Sequence, residues 1–321
     1  MFSRYQRNEK ALVLALMEMY VEGVSTRKVA DVTEALCGTT SFSGSLVSRL
    51  AGDLDAGLRA WRSRPLTAKA YPYLLFVDAR YEKVRVGARV VSQGVLVVSA
   101  VREDGLREIL TVEVADTESE ATYQELFRSV KSRGLSGVEL VVSDDHEGLK
   151  AAIARHFQGA AHQRCQVHYD ARNLLGMVGA AKKRKELAAD LRAIFAAPDR
   201  RSAFGLVSSV AEKWRKKGHE KIAEHLEEHV EECLACLAFP ESHRRRIRTT
   251  NGLERFNQEI KRRTRVVWIF PNREACLRWV TALAVEQSEE WIMGRRYLDM
   301  RELEEHRREE WEAEEVRLME W

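Results

Sequence analysis

Three acids stand where they could share one task. Asp78 and Asp144 each close an apolar run, Tyr73-Leu74-Leu75-Phe76-Val77 and Val138-Glu139-Leu140-Val141-Val142-Ser143. Such runs read as buried strands with a carboxylate at the mouth. Glu254 follows the turn signal Asn251-Gly252, and Leu253, Phe256 and Ile260 then recur at helical spacing. That puts Glu254 in a first helical turn, where the positive end of the dipole favours a carboxylate. Three carboxylates converging at a sheet edge can hold two divalent ions about 3.5–4 Å apart. Hard oxygen donors suit Mg2+ (or Mn2+) and thiolates do not. One ion would activate a water or hydroxyl, and the other would stabilise the leaving oxygen of a phosphodiester. Taken singly, a strand-end aspartate caps a turn and an amphipathic helix shows solvent its charged face. The order of three acids on these elements is what favours the metal reading, and Asp144 is preferred to Asp145 as the first acid after its strand.

The elements that must position these acids can be read around them. The 321 residues are 45% hydrophobic, enough for two or three domains. The net charge is only +3, yet basic residues cluster at Lys182–Lys185, Arg215–Lys217, Arg244–Arg246 and Lys261–Arg263, while 301–315 is rich in glutamate. Local clusters steer a polyanion more than the sum does. Five cysteines form no disulfide framework, which predicts a reducing cytoplasm. No stretch has the length of a membrane span or a signal-peptide core.

Near the N-terminus, helical patterns over 9–22 and 26–36 precede a third that begins at Ser43 or Ser45. Three short helices with a glycine turn before the last read as helix-turn-helix, with Ser43, Ser45, Ser48 and Arg49 facing a major groove. An ordinary trihelical subdomain would share that pattern. Residues 62–72, with two prolines, read as a linker. Strands are expected at Tyr73–Asp78, Val84–Val91, Val95–Val101, Ile109–Val114 and Val138–Ser143, and helices at Thr117–Arg133 and Gly148–His156. The result is a mixed sheet flanked by helices, with ligands at the strand ends.

Val77-Asp78-Ala79, Val142-Ser143-Asp144-Asp145-His146-Glu147-Gly148-Leu149, Arg164-Cys165-Gln166-Val167-His168 and Arg248-Thr249-Thr250-Asn251-Gly252-Leu253-Glu254 together resemble bacterial mutator-type insertion-sequence transposases. The resemblance runs from about the N-terminal helices to just past Pro271. It implies a ribonuclease-H-like α/β core with Asp78, Asp144 and Glu254 as its acidic triad, and an all-α insertion between the second and third acids. The spacings agree, 144 − 78 = 66 against 254 − 144 = 110. The expected organisation is a helix-turn-helix domain over 1–61, a linker over 62–72, a catalytic core over 73–170 and 245–290, an insertion over 171–244 and a charged C-terminal helix over 291–321. Lys182 to Phe239 reads helical almost throughout. Trp214 there is a candidate DNA-stacking residue, with a buried core position the stronger expectation.

The resemblance also places Cys165-x-x-His168 near the site in a structural role, orienting the sheet against the insertion. Cys233 and Cys236 would complete a Cys3His zinc set with that pair. Their apolar helical surroundings favour ordinary buried thiols instead. The implied activity is metal-dependent strand cleavage and strand transfer on double-stranded DNA, at terminal inverted repeats and at target DNA. Arg248, Lys261, Arg262 and Arg263 would neutralise phosphates, and homo-oligomers would join two ends on the nucleoid. Relatives carry a longer segment ahead of the helix-turn-helix, so end recognition is the least supported part. A same-fold nuclease without strand transfer, and a truncated or domesticated repressor that binds without cutting, are the alternatives.

Overall fold

The computed structural model describes residues 55–76, 79–265 and 268–319. The expected helix-turn-helix with Ser43, Ser45, Ser48 and Arg49, and the acid Asp78, lie outside the described residues.

Six strands form one mixed sheet: β1 (Tyr73–Phe76), β2 (Arg80–Val86), β3 (Arg89–Val101), β4 (Arg107–Ala115), β5 (Leu140–Ser143) and β6 (Ala161–Arg164). The long β3 is the backbone of the sheet. One of its edges is shared end to end by β2 (Arg89–Val95) and β1 (Val98–Val101), and its other edge pairs antiparallel with β4. Beyond β1 the sheet continues with β5 and then β6, both parallel. Parallel neighbours need crossovers, and α1 (Glu120–Ser132) and α2 (Glu147–His156) supply them. Ser119 caps α1 through its side chain, and Tyr123, Leu126, Phe127 and Val130 face inward as their spacing predicts.

Successive side chains in β1 and β5 go to opposite faces. Tyr73, Leu75, Leu140 and Val142 meet helices from the C-terminal half, while Leu74 and Val141 meet α1 and α2. Both faces are covered, which explains the unbroken apolar runs. A third core around Leu187, Leu191, Val207, Trp214 and Leu226 belongs to the helices α3 (Ala181–Phe195), α4 (Arg200–Lys216) and α5 (Glu220–His229). The chain then returns through α6 (Glu241–Ile247) to α7 (Asn251–Thr264), α8 (Arg273–Met293) and α9 (Arg301–Met319). No helix among the described residues is long and apolar enough to cross a membrane.

One expected strand needs correction, and one strand was not anticipated. The valine-rich stretch Val84–Val91 is not one strand: it turns at Gly87, whose φ of 58° suits glycine. The sixth strand, Ala-His-Gln-Arg, has no apolar run to announce it. Trp214, in turn, is a core residue, fully buried with its indole N–H donated to Asp190 at 2.8 Å, and is no stacking platform for a base.

The β3–β4 turn fastens the C-terminal part of the chain. Gly105 accepts from the backbone N–H of Tyr297 (2.7 Å) and Leu298 (3.2 Å) at a φ of 82°. A Cβ there would stand 2.0 Å from the Leu298 carbonyl oxygen. Gly105→Ala is therefore expected to cost about 2 kcal/mol, from left-handed backbone strain and from displacement of that strand of chain. Urea denaturation checks this, and a midpoint equal to wild type would refute it.

Candidate active site

Parallel strands bring the site residues to one edge. Ser143 ends β5 beside Arg164, which ends β6, and the Cys165 N–H donates to the Ser143 carbonyl at 2.8 Å. Asp144 and Cys165 thus leave adjacent strand ends. A short helical turn, Gln166–His168, returns His168 over Asp144. The third segment is stitched on by Gln166, whose N–H donates to the Arg248 carbonyl at 3.1 Å, and by Thr250, whose hydroxyl donates to Cys165 Sγ at 3.4 Å. Glu254 then stands in the first turn of α7, with Leu253, Phe256 and Ile260 buried beneath it. A Cβ on Gly252 would lie 2.2 Å from Nη1 of Arg107, so the Arg107 side chain, whose guanidinium rests on the Trp291 ring, would have to shift.

His168 joins the two acids. Its Nδ1 hydrogen-bonds Asp144 Oδ1, and its Nε2 lies 3.3 Å from Glu254 Oε1. Asp144 is nearly buried and Glu254 about one-third exposed. The hydrogen bond to Asp144, then that to Cys165, hold the imidazolium up to about 10 despite partial burial. Burial would raise the Cys165 thiol, but hydrogen bonds from His168 and Thr250 outweigh it and draw the thiol below its usual range. Asp144, Cys165 and His168 each offer a ligand atom within 4.8 Å of the others.

Asp144 faces a cleft of about 710 Å3 whose other acids are Asp116, Glu118 and Asp145. Asp116 and Glu118 escaped the sequence reading, although Asp-Thr-Glu directly follows the apolar run of β4. Asp145 is otherwise engaged: Lys150 Nζ lies 2.6 Å and Arg164 Nη2 2.5 Å away. Both cations also reach Glu232, at 2.9 and 3.1 Å, in the turn that follows α5. Burial opposes the charge on Asp145, but the Lys150 hydrogen bond and Arg164 outweigh it and hold the carboxyl below its usual range.

The remaining expected residues separate by environment. Lys261 and Arg262 are exposed on α7, with Arg262 against Glu259, and Arg248 is half-buried. Arg263 is turned inward, its guanidinium spanning Glu286 at 2.8 and 3.0 Å and reaching Glu259 at 2.6 Å. Cys233 and Cys236 are buried thiols pushed up by desolvation. Among the described residues they form no part of the Asp144–Cys165–His168 group, and they are the ordinary buried thiols that their apolar surroundings favoured.

The segments that meet at this edge are those whose motifs resemble mutator-type transposases. The family profile described as "Transposase, Mutator family" matches residues 1–294, and the chain belongs to that family. It is 47% identical over 294 residues to the transposase for insertion sequence element IS406 of Burkholderia multivorans, covering 91% of this chain and 74% of that one. The transposase for ISRM5 of Rhizobium meliloti is 45% identical over 308 residues, 96% and 76% of the two chains. The transposase for IS256 in transposon Tn4001 of Staphylococcus aureus is 38% identical over 303 residues, 93% and 76%.

The raised His168 value sets a pH dependence. Its ordinary value is 6.5 and its folded value about 10. The stabilisation it brings is therefore complete below about 6.5 and disappears as the pH rises through 10. Urea midpoints of metal-free wild type and His168→Gln, measured between pH 6 and pH 10.5, are expected to converge as the pH rises. A gap that stays constant across that range would contradict the assignment.

Proposed function

We propose that the chain catalyses divalent-metal-dependent cleavage of DNA strands at the terminal inverted repeats of an insertion sequence, and the transfer of the released 3′ ends into target DNA. The observation that carries this reading is the meeting of Asp144 and Glu254 on His168 at the carboxyl edge of a parallel strand pair. The strand order β4–β3–β1–β5–β6 supports a ribonuclease-H-like core. Asp78 follows the end of β1 by two residues in the sequence, and β1 is the parallel neighbour of β5, which supports Asp78 as the third acid.

The donor set fits hard cations. Asp144 and Glu254 offer carboxylate oxygens from separate elements, and further carboxylates line the cleft. Asp78, Asp144 and Glu254 would hold Mg2+ or Mn2+, which when bound supplies activation of the attacking oxygen and charge neutralisation at the phosphate. The chain's own groups do the rest. His168 keeps a positive charge between two carboxylates that would otherwise repel each other. Glu254 is fixed by the buried face of α7. Arg248, Lys261 and Arg262 neutralise phosphates of the duplex, whereas Arg263 is already used inside the fold. The helical segment 171–244 is the insertion, and residues 1–61, with Ser43, Ser45, Ser48 and Arg49, read the repeat. Two ends must be held together for joining, so a homo-oligomer is the working form.

The test is Mg2+-dependent cutting and joining of labelled DNA carrying the element's own inverted-repeat end. Asp144→Asn and Glu254→Gln are each expected to slow cleavage by about 10³-fold or more, roughly 4 kcal/mol of transition-state stabilisation, with DNA still bound. Cleavage by Glu254→Gln within tenfold of wild type would overturn the triad. Cutting without joining would leave a nuclease in place of a transposase.

A salt titration tests the basic contacts separately. Lys261→Gln and Arg262→Gln are each expected to weaken DNA binding on all sequences and to reduce the slope of log K against log salt by about 1. A slope unchanged in both variants would remove α7 from the DNA interface.

A further inference from the structure

The Cys165-x-x-His168 motif is not used up by a hard-metal mechanism, because a thiol is a poor ligand for Mg2+. Its surroundings are organised nonetheless. Cys165 Sγ, a ring nitrogen of His168 and an Asp144 carboxylate oxygen lie within 4.8 Å of one another. Ligands at about 2.0–2.3 Å from a tetrahedral ion stand roughly 3.5 Å apart, so small side-chain movements close this group around one ion. The outer contacts are those that orient metal ligands. Nε2 of His168 faces Glu254 Oε1 at 3.3 Å, while Nδ1, which hydrogen-bonds Asp144, would give up its proton and that hydrogen bond when an ion binds. The Thr250 hydroxyl donates to Cys165 Sγ at 3.4 Å and aims the sulfur. Cys165 is fully buried, whereas His168 and Asp144 line the cleft, so an ion enters from the cleft side and keeps one coordination position open towards it.

We propose that Asp144, Cys165 and His168 form a site for a thiophilic divalent ion of the zinc class, sharing Asp144 with the hard-metal site but defined by sulfur and imidazole ligands. One carboxylate, one thiolate and one imidazole match Zn2+ and its spectroscopic substitute Co2+, and discriminate against Mg2+. The proposal is independent of DNA chemistry, since the ligand set is complete without DNA.

The experiment is a Co2+ titration of the metal-free full chain, without DNA, followed by absorption spectroscopy. One equivalent is expected to bind, with intense visible bands of a four-coordinate ion and a near-ultraviolet thiolate-to-metal charge-transfer band, both abolished by stoichiometric Zn2+ and unaffected by millimolar Mg2+. Cys165→Ser is expected to remove the charge-transfer band, while Cys233→Ser, which alters a buried thiol outside the group, keeps it. Thr250→Val retains all three ligands and is expected to weaken Co2+ affinity by about 10–100-fold. This variant decides the matter even if Cys165→Ser fails to fold. Absence of the charge-transfer band in wild type, its survival in Cys165→Ser, or wild-type affinity in Thr250→Val would overturn the site. Because the readout is spectroscopic, a negative result leaves the cleavage reading untouched, and a failed cleavage assay leaves this site untouched.

Discussion

The arrangement depends on one contact, the imidazole of His168 held between Asp144 and Glu254. Asp144 is nearly buried, and a buried carboxylate is costly unless it is paired and hydrogen-bonded. The histidine supplies both needs. It also converts a sequence separation of 110 residues into a side-chain distance. The backbone bonds from Cys165 to Ser143 and from Gln166 to Arg248 set its position before any side chain is counted. Three segments that share no local sequence are thereby fixed to a common edge.

Much of this edge was legible because burial leaves a pattern. Apolar runs that stop at an acid marked β1 and β5, and Leu253, Phe256 and Ile260 marked the inner face of α7. Strand β6 was not legible, for a physical reason. Its side chains serve polar partners: Gln163 bonds the backbone of Cys233 and Cys236, and Arg164 bonds Asp145 and Glu232. A strand whose inward residues are paid in hydrogen bonds shows no hydrophobic alternation. The turn at Gly87 was hidden by the opposite effect, since Val86, Val90 and Val91 continue a β-favouring run while standing partly in solvent. Arg263 shows the limit of reading charge runs. Its partner Glu286 lies on a different helix, and only the packing of α7 against α8 turns that arginine inward.

Adjacent Asp144 and Asp145 are sent into different surroundings. The chain sends the first into the cleft beneath His168 and the second into a network with Lys150, Arg164 and Glu232. Arg164 is almost fully buried, and Asp145 and Glu232 give it the paired surroundings a buried charge needs. Glu232 reaches it from the turn that follows α5, so the helical segment contributes a counter-ion to the sheet edge and is held against it in return. Losing Glu232 would leave Arg164 and Lys150 to Asp145, with Asp144 one residue away as the nearest further anion in sequence. The helical segment therefore supplies a counter-ion beside the cleft, and its Asn173 lines the cleft itself. Charge pairing across a buried boundary thus ties the helical segment to the sheet edge.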